Sequence, residues 1–179
     1  MKNNTYHFIT HWQVEARPEE VYRILEQAER LPLWWPAVYL DVKTTKENDE
    51  HGVGREVALF TKGWLPYTLR WQSRLIRKNF PHGFEIEAFG DLSGKGVWSF
   101  EQAPNSSVCR ITYDWRIEAN KPILKLFSFI LKPIFSANHH WAMRKGAESL
   151  RLELLRSRAK TAEERAAIAA PPKPTFRWL

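Results

Sequence analysis

Apolar and polar positions alternate strictly from residue 5 to 15. Tyr6, Phe8, Thr10, Trp12 and Val14 fall on one side of an extended chain, and His7, Ile9, His11, Gln13 and Glu15 fall on the other. Successive side chains of a strand point to opposite faces, so this pattern predicts a half-buried strand. The period then changes. Pro18 suits the first position of a helix, Glu19 and Glu20 lie where the helix dipole is positive, and Val21, Leu25 and Ala28, with Ile24 alongside, make an apolar stripe at helical spacing. Pro32 ends that helix, and Leu31 to Trp35 predict a short second turn closed by Pro36.

From residue 38 to about 119 the period returns to two, broken by turn signals at Asn48-Asp49, Gly63, Pro81-His82-Gly83, Asp91 to Gly94 and Pro104-Asn105. Six strands are expected there. The clearest carry Tyr67, Leu69, Trp71, Ser73 and Leu75 on one face, and Cys109, Ile111, Tyr113, Trp115 and Ile117 on one face, each with charged or polar residues between. One greasy face and hairpin-length gaps predict an antiparallel meander covered on a single side. After Pro122 the spacing predicts a helix to about Arg158, interrupted near Pro133, with Met143, Ala147, Leu150 and Leu154 facing inward. Thr161 to Glu164 has capping-box spacing and predicts one short helix before Pro171-Pro172. The expected organisation is a domain over residues 1–158 and a tail over 159–179.

The amino-terminal third carries a more specific pattern: Pro18, Glu19, Glu20, Val21, Leu25 and Glu29, then Leu31, Pro32, Trp34, Trp35, Pro36 and Val38. This P-x-x-V-x-x-x-L helix followed by an L-P-x-W-x-P turn resembles the START-like, or SRPBCC, superfamily, and within it the polyketide cyclase/dehydrase-like proteins. The element order extends the resemblance over residues 5 to 155. It implies an α+β helix-grip fold, a curved antiparallel sheet of about seven strands wrapped around a long carboxy-terminal helix. It also implies an apolar cavity between them for a lipid, a polyketide or a similar molecule. Members include binders, transporters, cyclases and regulatory subunits, so no reaction follows from the resemblance.

Composition supports a ring-lined interior. Nine Trp, ten Phe and five Tyr in 179 residues exceed what closing a core of this size needs. By strand phase, Trp12, Tyr67, Trp71, Trp98, Phe100, Tyr113 and Trp115 face inward, with Trp34 or Trp35 near the cavity mouth, Trp35 being the one taken as a contact, and Asn138 and His139 on the final helix beside it. These are the candidate ligand-binding residues, the alternative being that the rings simply fill the space. Catalysis would require a titratable group aimed at the pocket. Asp114, Glu118, Glu85 and Glu87 fall on or near the outward phase, which leaves Tyr113 and His139 as the only candidates. The alternative for His139 and His140, which the weakness of a lone histidine signal favours, is a helix-surface pair.

Charge and cysteine usage narrow the partners. Residues 121 to 160 hold nine Lys and Arg against Glu148 and Glu153, which accounts for the whole net charge of +7. The apolar stretch 123–135 inside that segment is too short for the ~20 residues that span a bilayer. It can lie on an anionic membrane surface, with Lys121, Lys125, Phe127, Phe129 and Lys132 as contacts. Nucleic acid is not an expected partner, because no recognition motif is present. Cys109 is the single cysteine, so no internal disulfide forms, and no metal-ligand spacing or nucleotide-binding glycine motif occurs. No cofactor is expected. The polar start, Met1 to Thr5, predicts no secretory signal and hence a cytoplasmic location, membrane-peripheral if the basic segment engages lipid. The leading expectation is binding or transport of a hydrophobic or amphipathic small molecule. A cyclase/aromatase-type enzyme is the second, and a protein-interaction module using the basic helix and the Phe176-Trp178 tail is the third. Oligomeric state is not legible.

Overall fold

A computed structural model describes residues 4–175, the side chains of 122–131 excepted. Its elements run β1 (Thr5–Glu15), α1 (Pro18–Leu25), a 3-10 turn (Ala28–Arg30), α2 (Leu31–Trp34), β2 (Tyr39–Lys46), β3 (Glu56–Lys62), β4 (Thr68–Asn79), β5 (Gly83–Gly90), β6 (Leu92–Gln102), β7 (Val108–Ala119), α3 (Pro122–Arg158) and α4 (Ala162–Ala167). The strands form one antiparallel sheet in the order β1-β7-β6-β5-β4-β3-β2. This is the helix-grip α+β architecture. Six hairpin-linked strands make the meander, and β1 closes it by pairing with β7 from Thr5↔Glu118 to Glu15↔Val108.

The alternation in β1 is realised in burial: Tyr6, Phe8, Trp12 and Val14 are buried, while His7, Ile9, His11, Gln13 and Glu15 are exposed. On β7 the inward set is Cys109, Ile111, Tyr113 and Trp115. The outward set is charged and pairs across strands, with Arg74 2.8 Å from Glu56 and Arg77 3.0 Å from Glu85. Such surface pairs contribute little each, and the burial of the other face stabilises the sheet.

The start of α1 and the end of α3 are tied by one carboxylate. Glu20 accepts the Arg17 backbone N–H at 2.9 Å and the Arg158 guanidinium at 2.8 Å, and these bonds hold its carboxyl below the usual range. At the other end of the chain, Thr161 Oγ1 accepts the Glu164 N–H at 3.1 Å to start α4. Arg156 donates to the Ala169 carbonyl, so the residues after α3 fold back onto the end of that helix.

Two local expectations are corrected. Helix α3 runs through Pro133 without a break; the ring is exposed, and a proline inside a helix costs one bond of the ladder without ending it where the flanking turns are held. The predicted turn at Asp91 to Gly94 shrinks to Asp91, because Gly94 and Gly96 pair with Ile117 and Trp115 as part of β6. Asp91 is fixed there by accepting the Arg70 N–H at 2.8 Å and the Asn120 N–H at 2.8 Å.

The grip itself depends on a glycine. A Cβ on Gly146 of α3 would lie 2.3 Å from the Trp35 ring, so the indole packs directly on helix backbone. Alanine is ordinarily the better helix former by about 1 kcal/mol. Here the overlap reverses the sign: Gly146→Ala is expected to lower stability by about 1–3 kcal/mol, the cost of overpacking. Urea unfolding checks it, and a stabilised variant would mean that the ring is free to retreat.

Candidate functional site

The concave face of the sheet and α3 enclose a cavity of about 140 Å³. Strands supply the ring walls because their inward phase is aromatic: Tyr6 and Phe8 from β1, Trp71 from β4, and Tyr113 and Trp115 from β7. The turns supply Trp35, Gly63 and Tyr67, the first residue of β2 supplies Tyr39, and α3 supplies Phe135, Asn138, His139, Ala142 and Met143. A second chamber of about 70 Å³ lies toward α1, and Trp35, Tyr39, Trp71 and Tyr113 line both. These four rings are the partition.

Of the sequence-predicted ligand residues, Trp35, Tyr67, Trp71, Tyr113, Trp115, Asn138 and His139 meet at the cavity. Trp98 lines the second chamber and stacks on Tyr113 at 4.0 Å. Trp12 and Phe100 are buried in the core, Trp12 at 5.6 Å from Trp35 and Phe100 at 6.2 Å from Tyr22. The additional wall residues Tyr39, Lys62 and Gly63 sit at strand ends or in a turn, where alternation carries no signal; Tyr6 and Phe8 were readable from the inward phase of β1.

Asn138 clasps the β3–β4 turn to α3. Its Oδ1 accepts the Leu65 N–H at 3.1 Å, and its Nδ2 donates to the Tyr67 hydroxyl at 3.4 Å. Gly63 is required beneath it, since a Cβ there would fall 2.1 Å from Asn138 Oδ1.

Three polar atoms of the lining are buried without a hydrogen-bond partner among the described residues: the Tyr6 hydroxyl, the Trp35 indole nitrogen and His139 Nε2. An unpaired buried polar group costs roughly 1–3 kcal/mol, so each favours the arrival of a complementary group. His139 stacks on Phe8 at 4.0 Å, and burial, reinforced by the charge of His140, lowers its pKa to about 3. Burial raises the pKa of Tyr6, Tyr39 and Tyr113, and pushes that of Tyr67 up to about 12. At neutral pH the cavity therefore presents a neutral imidazole and protonated phenols. Lys62, 2% exposed, also lines it, and burial lowers its pKa.

Outside the cavity, His140 is exposed, and His7 on the outer face bonds Asp114 at 3.0 Å. Burial pushes the Cys109 thiol up to about 11, which leaves it packed and unreactive. Among the described residues no cluster of three metal-ligating side chains exists, and no helix is long and apolar enough to cross a membrane. Of the sequence-predicted membrane contacts, Lys121 donates to the Thr68 carbonyl, and the Lys132 ammonium lies 5.4 Å from the Tyr6 ring centroid. Lys125, Phe127 and Phe129 lie outside the described side chains, and Phe176 and Trp178 lie outside the described residues.

The profile of the family described as polyketide cyclase/dehydrase and lipid transport matches residues 14–144. The chain belongs to this family. No curated protein matches it in sequence. Among solved structures it is similar to the Zhui aromatase/cyclase of Streptomyces sp. R1128, with 13% identity and a TM-score of 0.65 over 88% of this chain and 98% of that one. It is similar to TTHA0849 of Thermus thermophilus, with 17% identity and a TM-score of 0.63 over 86% and 100% of the two chains. It is also similar to norcoclaurine synthase of Thalictrum flavum, solved with dopamine and hydroxybenzaldehyde, with 14% identity and a TM-score of 0.59 over 87% and 90%. At these identities the likeness is one of fold. Family and fold together support hydrophobic-ligand binding or cyclase chemistry as the class of function.

Proposed function

We propose that this chain binds a small hydrophobic or amphipathic molecule in the cavity between the sheet and α3, and that Trp35, Tyr67, Trp71, Tyr113, Trp115, Asn138 and His139 contact it. The observation that carries the reading is the combination of ring walls with the unpaired Tyr6 hydroxyl, Trp35 indole nitrogen and His139 Nε2. Apolar walls with a few fixed polar groups suit a ligand with a greasy body and one or two polar tips. Size narrows the class: about 140 Å³ is close to the ~150 Å³ cavity that takes one benzene ring. A one-ring ligand fits as the walls stand, and a fused-ring or acyl ligand needs the Trp35 and Tyr39 partition to swing aside. Exchange of the ligand with a membrane through segment 121–136 is part of the same proposal.

Catalysis of the polyketide cyclase kind is a second reading, favoured by the presence of Tyr113 and His139 in the lining of one cavity. A base whose conjugate acid has a pKa of about 3 takes up a proton poorly at neutral pH, so His139 suits hydrogen bonding better than proton abstraction. This favours binding as the primary role.

Native mass spectrometry of the purified protein, followed by organic extraction, tests the proposal. A stoichiometric hydrophobic molecule is expected on the wild type and is expected to be lost from Ala142→Phe, which fills the cavity from α3. Wild-type protein that stays empty after incubation with a lipid extract, or an Ala142→Phe variant that keeps the ligand, overturns it.

A further inference from the structure

Outside the cavity, α1, α2 and the last turns of α3 border a groove of about 410 Å³ that shares no lining residue with it. Four arginines line this groove: Arg23 from α1, Arg30 from the 3-10 turn, Arg156 from the end of α3 and Arg165 from α4. Among the described residues, one carboxylate lines the groove with them. Glu153 pairs with Arg30 at 3.0 Å and with Arg156 at 3.7 Å. Arg23 instead lies over the Phe80 ring at 6.0 Å, and Arg165 donates to the Ala159 carbonyl at 3.4 Å. Among the described lining residues three positive charges are thus left unbalanced in one concavity, and guanidinium does not lose its proton at any working pH.

Scattered surface arginines would not by themselves mark a site. The distinguishing feature is a tryptophan among them. Trp34 is 1% exposed and lines the groove, and its indole N–H is buried without an acceptor among the described residues. Glu153, already engaged twice, is the single acceptor of full charge among the lining residues, and the Trp34 indole N–H adds a buried donor that none of them satisfies. What the concavity lacks is an anion.

The geometry points to a binding site for a phosphate monoester. Guanidinium forks match phosphate oxygens two at a time, and three unbalanced charges suit a group carrying nearly two negative ones. The volume exceeds what a bare phosphate needs, and half-buried Ile24 offers an apolar edge for an organic body. Such a group can come from a free organic phosphate or from a phospholipid headgroup. Either way the site is separate from the cavity and independent of what the cavity holds.

The test uses the full chain in two arms. Calorimetric titration with phenyl phosphate, with phenol as control, reports the free ligand. Flotation with phosphatidylcholine vesicles, with and without phosphatidic acid, reports the headgroup. Arg23→Gln with Arg165→Gln removes the two arginines that Glu153 does not hold, and is expected to weaken binding about tenfold or more. Glu153→Gln removes the opposing charge and is expected to tighten it several-fold. Opposite signs from the two variants separate a built site from loss of fold, and a thermal melt verifies that both remain folded. Phenyl phosphate binding with this pattern assigns a free phosphate; vesicle binding that needs phosphatidic acid and shows the same pattern assigns a headgroup. Binding in neither arm, or binding indifferent to the double arginine variant, overturns the proposal.

Discussion

Trp35→Ala is expected to destabilise the protein by about 3–5 kcal/mol, the range for truncating a large buried ring. Trp35 is 2% exposed, and its ring meets Trp12 at 5.6 Å, Trp34 at 5.6 Å and Tyr39 at 5.1 Å, while its edge rests on Gly146. Nothing nearby can collapse into its place, because the sheet on one side and helix backbone on the other are both rigid. At roughly 2–4 °C per kcal/mol for a chain of this length, the melting temperature should fall by about 10 °C. The same truncation joins the two chambers into one, so added indole should refill the void and raise the melting temperature of the variant while leaving the wild type nearly unchanged. A loss under about 1 kcal/mol, or no response to indole, would mean that Trp35 is neither partition nor keystone.

Much of this arrangement was legible in the chain, for a physical reason. A sheet covered on one side imposes a period of two on every strand, and the phase of that period told which rings face inward. Tyr113 and Trp115 at the cavity, and Trp98 at its inner chamber, follow from it directly. Phase cannot tell how far along a strand a residue sits relative to the helix above. Trp12 and Phe100 share the inward phase yet pack into the closed end of the grip, whereas Tyr6 and Phe8, on the face of Trp12, line the cavity. Gly146 was illegible for a different reason: a glycine in a helix reads as a cost until the ring lying on it is seen. The arginine groove draws its members from α1, the 3-10 turn, α3 and α4, so the charge concentrated between residues 121 and 160 announced only part of it.

His139 makes the cavity acid-sensitive, and the direction follows from where its proton goes. Folded, the buried ring resists protonation down to a pH of about 3, whereas in the unfolded chain it takes up a proton near its ordinary value of 6.5. Between those limits the unfolded state binds the extra proton, so stability is full above 6.5 and falls as pH drops toward 3. The slope is about 1.4 kcal/mol per pH unit, so near pH 4 the loss should reach about 3 kcal/mol. Carboxylates held in ion pairs, Glu20 and Asp114 among them, also lose their contribution on acidification. The difference between wild type and His139→Gln isolates the histidine: urea midpoints at neutral and acid pH should show the variant losing less stability than the wild type by that amount. Glutamine keeps a polar tip toward the cavity but has no proton to gain. Equal acid sensitivity in the two proteins would place the ring in solvent, and with it would go the neutral imidazole on which the polar character of the cavity rests.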